Sequence, residues 1–234
     1  MVKVFHHEET KGDTVGSQRK MTRKQKDIVI GMILGDAYLQ KTGKQNARLR
    51  LEQGISQRDY LEWKVRELKN YFQSKIKTLE RNNPIWRRTY QYVRIQSTAS
   101  PDFGKLRSIF YNNSQKIIPK TIAIIFKNPL SLAVWFMDDG HYYQRDRMAY
   151  LYIPNFDKES IKLLLEMLKV NFNLLPIAKQ KKRGNVLVFS VNETKKLMNL
   201  IQKYIIPSMR YKLPLDPVST DRKSDFRISS EMVL

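Results

Sequence analysis

Two stretches of this chain carry a carboxylate in an unusual setting. "IVIGMILGDAYLQ" (28–40) is apolar, has glycines at 31 and 35, and reaches Asp36. "PLSLAVWFMDDGHYY" (129–143) repeats the plan and reaches Asp138 and Asp139 before Gly140. One aspartate in such a place is most simply a cap on the following turn. Here there are two in equivalent places, 103 residues apart (139 − 36), in a chain with 43 Lys and Arg against 22 Asp and Glu. That combination points to an oxygen site for a hard cation. Mg²⁺ favours one or two carboxylates, with substrate phosphates and water completing its shell. Two or more such ions across a scissile phosphate activate a water and stabilise the leaving oxygen.

The elements that position these acids follow from periodicity. Gly31 and Gly35 are four apart and share one face of a helix. A mid-helix glycine costs about 1 kcal/mol against alanine, so two on one face imply close approach of another backbone. The helix at 130–139 is the natural partner, and side by side the two would bring Asp36 and Asp139 to the same end. Thr22 is an N-cap with Gln25 at capping-box spacing. "DAYLQ" and "NARLRLEQ" alternate as a hairpin around "KTGKQ", and Tyr60, Leu61, Val65, Leu68 and Phe72 recur at helical spacing. Strands over 75–81 and 85–97, joined by "RNNP", and a helix over 101–112 complete the first half.

The second half runs through a strand at "MAYLYI", a helix opened by Asp157 and Ser160, a hairpin turning at Arg183-Gly184, and a closing helix before Pro207. The order helix, two strands, helix, two strands, helix therefore occurs twice, and a duplication of this length defines the fold. The expected class is α+β: two pseudo-symmetric αββαββα repeats forming a saddle of antiparallel sheets, with the acid-tipped helices at their interface. Expected boundaries are a basic extension at 1–24, repeats at 25–128 and 129–214, and a tail at 215–234.

Composition narrows the function. The net charge is +21 and aromatics make up 11%, a balance suited to nucleic acid. No apolar run reaches the roughly 20 residues of a membrane span. Cysteine is absent, which removes disulfides and cysteine-bound zinc; His6, His7 and His141 do not replace such a site. There is no phosphate-binding glycine loop. Without an apolar leader, an intracellular setting is expected, either an organelle or a prokaryotic cytoplasm.

"VIGMILGDA" (29–37) and "LAVWFMDDG" (132–140) resemble the two signature helices of the LAGLIDADG homing endonucleases in the single-chain, two-repeat form. "RLRLEQ", "DYLEWK", "SLAVWFMDDG" and "IIPSMRYKLP" stand in the family's order, over about 25–214. The resemblance implies a monomeric, site-specific enzyme that cuts both strands of a long duplex and leaves short 3′ overhangs. It implies that Asp36 and Asp139 bind two or more divalent ions, Mg²⁺ with Mn²⁺ able to substitute, helped by the carbonyls of Gly35 and Asp138. Lys116 and Lys212 match the paired active-site lysines, following their acids by 80 and 73 residues (116 − 36 and 212 − 139). Gln53 matches a polar residue near the metal-bound water. Val134 and Asp138 depart from small residues at the helix seam, and Pro154 lies near the counterpart of Gln53. An asymmetric site is expected.

The sheets' inner face would lie in the major groove. Alternation sends Leu49 and Leu51 to the core and Arg48, Arg50 and Glu52 outward. It likewise sends Val93 and Ile95 inward and Tyr92, Arg94 and Gln96 outward, with Arg87 and Arg88 earlier on that strand. Arg145 and Arg147 lie at one hairpin turn; Lys179, Lys181, Lys182 and Arg183 flank another. Arginine and glutamine suit base edges, and lysines near turns suit phosphates. Intron RNA is the rival partner, in a maturase on the same scaffold. A catalytically inactive DNA-binding regulator is the other rival.

Overall fold

Thr22 accepts a hydrogen bond from the Gln25 amide (3.2 Å), while the Gln25 side-chain oxygen accepts from the Thr22 amide (3.1 Å). This capping box starts α1 (Arg23–Leu34), as the spacing predicts. The first repeat continues with β1 (Tyr38–Lys41), β2 (Ala47–Gly54), α2 (Arg58–Glu67), β3 (Lys77–Asn83), β4 (Arg88–Gln96) and α3 (Pro101–Phe110). A short connection follows, made of β5 (Tyr111–Asn112), β6 (Gln115–Lys116) and α4 (Ile122–Ile125). The second repeat is α5 (Pro129–Asp139), β7 (Gly140–Tyr143), β8 (Met148–Ile153), α6 (Lys158–Phe172), β9 (Ile177–Lys181), β10 (Gly184–Phe189) and α7 (Val191–Ile201). This computed structural model describes residues 20–84, 87–181 and 184–214. His6 and His7 in the extension, Lys182 and Arg183 at the second hairpin, and the tail from 215 fall outside the described residues.

The two sheets have one topology, β1-β2-β4-β3 and β7-β8-β10-β9, all antiparallel. The duplication is thus realised strand by strand. Leu49, Leu51, Val93 and Ile95 point into the core of the first sheet, and Leu151 and Leu187 do so in the second. Tyr60, Leu68, Leu164 and Leu168 are buried beneath the sheets, with Trp63 half-buried.

Between the repeats, α1 is buried from Asp27 to Leu34 and α5 from Leu130 to Met137, all around their circumference. Helices this apolar on every side belong at the centre of a fold. Their starts are tied together. Asn128 caps α5 by accepting from the Leu130 amide (3.0 Å), and its Nδ2 donates to Asp27 Oδ2 at 2.7 Å. Ser131 Oγ donates to the Asp27 carbonyl at 2.8 Å.

The seam is asymmetric, as the departures at 134 and 138 predict. A Cβ on Gly31 would lie 2.5 Å from the Ser131 carbonyl oxygen and 2.8 Å from Val134 Cβ. One on Gly35 would lie 2.6 Å from Asp138 Cβ. Position 31 meets its repeat counterpart 134, and position 35 meets 138. Glycine on α1 faces a full side chain on α5 at both steps, so one helix yields the space that the other fills.

Several boundaries differ from the sequence reading. The helix expected through Phe72 ends at Glu67 and tightens into a 3₁₀ turn at Lys69–Tyr71. The helix expected through Asn112 ends at Phe110, because the chain turns into the β5–β6 hairpin. Asn82 and Asn83, read as connection, belong to β3, which starts at Lys77 rather than 75. Arg87 precedes β4 rather than lying on it, and it adopts a left-handed φ of 46° that breaks the strand.

Candidate active site at the tips of the central helices

Asp36 follows α1 and is exposed, and Asp139 is the last residue of α5 and half-buried. Each helix ends with carbonyls that have no partner within the helix. A lysine meets them in both repeats. Lys116 Nζ donates to the Gly35 carbonyl at 2.8 Å. Lys212 Nζ donates to the Asp138 carbonyl at 3.0 Å and to the Met137 carbonyl. Gly35 and Asp138 each immediately precede their repeat's terminal acid, so the two contacts are equivalents. The backbones that deliver them are not: Lys116 comes from β6, and Lys212 closes a 3₁₀ helix at Pro207–Lys212. Different local folds place the same group on the same carbonyl. Desolvation lowers the pKa of both amines, and the three nearby aspartates offset part of that shift.

Gln53 is buried at the end of β2 and its Nε2 donates to Asp36 Oδ2 at 3.0 Å. The strand register makes Ile153 its counterpart, since Arg50 pairs with Tyr38 and Tyr150 pairs with His141. Pro154 follows one residue later. Asp36 therefore has an amide donor, and the counterpart position in the second repeat is apolar. Burial first, then repulsion from Asp36 and Asp138, pushes Asp139 up to about 8. A cation between the acids would relieve that repulsion.

Asp138 divides its roles between main chain and side chain. Its side chain is fully buried, yet the residue keeps exposure, which must come from the main chain. The carboxylate turns into the seam, where Oδ1 pairs with Lys64 Nζ at 2.6 Å and Oδ2 accepts from the Asp36 amide at 3.3 Å. Lys64 is 0% exposed and its ammonium lies 4.1 Å from the centroid of the Tyr60 ring. The Tyr60 hydroxyl donates to the Val134 carbonyl at 3.2 Å. The sequence reading placed Lys64 nowhere in the site. Its signal was there: 60, 64 and 68 lie on one helical stripe, so a lysine sits where only apolar side chains belong. A buried ammonium needs a buried partner.

The donors fit a hard divalent ion. Two carboxylates, Asp36 and Asp139, stand beside the carbonyls of Gly35 and Asp138, all oxygen. Among the described residues, no group of three or more His, Cys, Asp or Glu forms an ion site made of side chains alone. Such a site takes its remaining ligands from water and substrate phosphate.

On the first sheet, Arg48, Arg50, Glu52, Tyr92, Arg94 and Gln96 all occupy the face away from the core, as alternation predicts. Arg94 and Arg81 both pair with Glu52, at 2.6 and 3.2 Å, and Arg48 donates to Gln96 at 3.3 Å. Arg88 shares this face. On the second sheet, Lys179 and Lys181 are exposed on the edge strand β9, and Arg145 and Arg147 lie in the β7–β8 turn. His141 lies on the outward face of the second sheet, 4.3 Å from Tyr143 ring to ring.

Two acid-tipped helices stand at the centre of a duplicated αββαββα body. A family model described as the LAGLIDADG DNA endonuclease family matches residues 26–197, and the chain belongs to that family. It is 31% identical over 198 residues to a probable intron-encoded endonuclease 1 of Wickerhamomyces canadensis, covering 82% of this chain and 85% of that one. It is 26% identical to the cytochrome b mRNA maturase bI2 of Debaryomyces hansenii, over 87% of this chain and 78% of the relative. Among solved structures, the homing endonuclease I-WcaI bound to its DNA recognition sequence superposes with a TM-score of 0.78 at 30% identity, covering 84% of this chain and 88% of that one.

Proposed function

We propose that this chain is a monomeric, divalent-metal-dependent endonuclease that cuts both strands of one long duplex sequence and leaves short 3′ overhangs. The observation that carries this reading is the paired construction of the site. In both repeats a terminal acid, the carbonyl before it and a lysine on that carbonyl come together. Asp36 and Asp139, with the carbonyls of Gly35 and Asp138, would hold two or more ions, Mg²⁺ or Mn²⁺. When bound, such ions polarise the scissile phosphates and acidify the attacking water.

The chain's own groups do the rest. Lys116 and Lys212 present positive charge where negative charge gathers on the phosphorus oxygens. Each can also help to order the attacking water. Gln53 fixes the rotamer of Asp36, and Ile153 offers Asp139 no equivalent, so the two strands are cut at unequal rates. The outward arginines and glutamines of the first sheet, Arg48, Arg50, Arg88, Arg94 and Gln96, read base edges in the major groove. Arg87, Arg145, Arg147, Lys179 and Lys181, at turns and on the edge strand, hold phosphates. I-WcaI, solved on its DNA recognition sequence, supports this docking.

A second reading has one specific support, the maturase relative: the same scaffold would bind intron RNA. One experiment separates the two. The purified chain is incubated with a randomised duplex library in Mg²⁺ and in EDTA, and cut ends are sequenced. Metal-dependent cuts at one long sequence are expected. Enrichment without cutting would sink the nuclease reading, and no duplex enrichment would favour RNA.

A further inference from the structure

The outward face of the second sheet is made of different chemistry from that of the first. Register and burial define it. Leu151 and Leu187 point into the core, so their strand neighbours point away from it. The outward positions are His141 and Tyr143 on β7, Met148, Tyr150 and Tyr152 on β8, and Ile177, Lys179 and Lys181 on β9; Val186 and Val188 of β10 share the register but are buried. Among the described residues, the cations of these strands lie on the edge strand β9, with Arg145 and Arg147 in the β7–β8 turn. Ile177 is 64% exposed, Tyr152 41% and Tyr143 37%. Tyr143 and Tyr152 hold each other through their hydroxyls at 2.7 Å, and Tyr143 packs edge-on against Tyr150 at 4.7 Å. The equivalent face of the first sheet also carries tyrosines, Tyr38 at 38% and Tyr90 at 42% exposure, but sets them among Arg48, Arg50, Lys77, Arg81, Arg88 and Arg94, and its Tyr92 lies beneath Arg81 and Arg94.

An apolar, aromatic surface on the same scaffold cannot read guanine or adenine edges as arginine and glutamine do. One feature of the major groove suits it: the 5-methyl group of thymine, which is recognised by apolar contact. We infer that the second repeat reads its half of the DNA target through thymine methyl groups seated against Ile177, Tyr152 and Tyr143, while the first repeat reads its half by hydrogen bonds. This inference rests on the proposed function, because it needs the second sheet to lie in the major groove. The occupant is a duplex rather than another protein because this face continues the DNA face of the first sheet by the internal repeat, and because Lys179 and Lys181 flank it with positive charge. Tyr143 and Tyr152 share one hydrogen bond, so only one of their two hydroxyl protons is left to meet water or a base.

The test uses the full chain and the duplex recovered from the library, with binding measured by anisotropy. Deoxyuridine, which lacks only the methyl, replaces thymine in one half-site at a time. In one half the substitution is expected to weaken binding by about fourfold for each methyl buried, and in the other by less than about twofold. Truncation by Ile177→Ala and Tyr152→Ala, both at exposed positions, should remove the sensitivity of that half and leave the other unchanged. Thermal unfolding of the variants checks that they fold. Equal sensitivity of both halves, or none, would overturn the inference while leaving the endonuclease standing. So would a sensitive half that ignores both truncations. If no duplex is preferred at all, the endonuclease reading fails first and this inference falls with it.

Discussion

In the first repeat, β2 and β4 turn arginines and glutamine away from the core; in the second, β8 turns tyrosine and methionine outward from an equivalent register. Both sheets nevertheless have the same strand order. The inward positions explain why. Leucine, valine and isoleucine point into the core in both repeats, and a one-residue slip would expose all of them. The outward positions carry no such constraint and are free to follow the ligand. The central helices diverge in the same complementary way: α1 supplies the glycines and α5 the side chains that fill them. The two halves share what each needs to fold, and they differ where they meet each other and on the faces turned away from the core.

The largest effect expected is on catalysis. Asp36→Asn or Asp139→Asn should lower double-strand cleavage by about three orders of magnitude or more and leave affinity nearly intact. Plasmid-cleavage kinetics with binding in Ca²⁺ would check this, and unchanged cutting by either variant would remove the mechanism. The comparison sharpens at Gln53: Gln53→Leu makes the first site resemble the second, so the rates of cutting on the two strands should converge.

Next comes the buried pair that only one repeat possesses. Lys64→Met leaves the Asp138 carboxylate buried without its partner and should cost about 3–5 kcal/mol. Adding Asp138→Leu should restore most of that, by denaturant unfolding. If the single variant is as stable as the wild type, the pair is not what holds the seam. Gly31→Ala tests the other side of the seam. Its Cβ would press on the Ser131 backbone, so about 1–3 kcal/mol should be lost.

The raised Asp139 gives a pH signature. Unfolded, this group ionises near 4; folded, at about 8. The folded chain therefore holds an extra proton between those values. The stability this contributes is fully present below about pH 4 and is lost as pH rises through about 8. A divalent ion competes with that proton, so Mg²⁺ should raise the unfolding temperature more at pH 8 than at pH 6. A pH-independent gain would place the ion elsewhere. The smallest effect expected is electrostatic: Lys181→Ala should reduce the log–log salt slope of binding by about 0.9, whereas Arg50→Ala should also relax base preference at one position.

Much of this was legible in the chain. The capping box at Thr22, the alternation in "NARLRLEQ" and "TYQYVRIQ", and the repeated order of elements are local patterns whose physical cause lies within a few residues. Other features were not. The β5–β6 hairpin that carries Lys116 is two residues on each side, too short for a periodic signal. Lys64 broke an apolar stripe, but nothing near it in sequence named Asp138, 74 residues away, as the reason.

By itself the sequence determined the class of fold, the pairing of Asp36 with Asp139 and the basic character of the chain, because these depend on periodicity, repetition and net charge. Only the tertiary structure decided which oxygens face the site. Packing of α1 on α5 sends the Asp138 carboxylate inward to Lys64 and leaves its carbonyl to Lys212. That division depends on what lies across a helix seam in three dimensions, and residue spacing along one chain does not encode it.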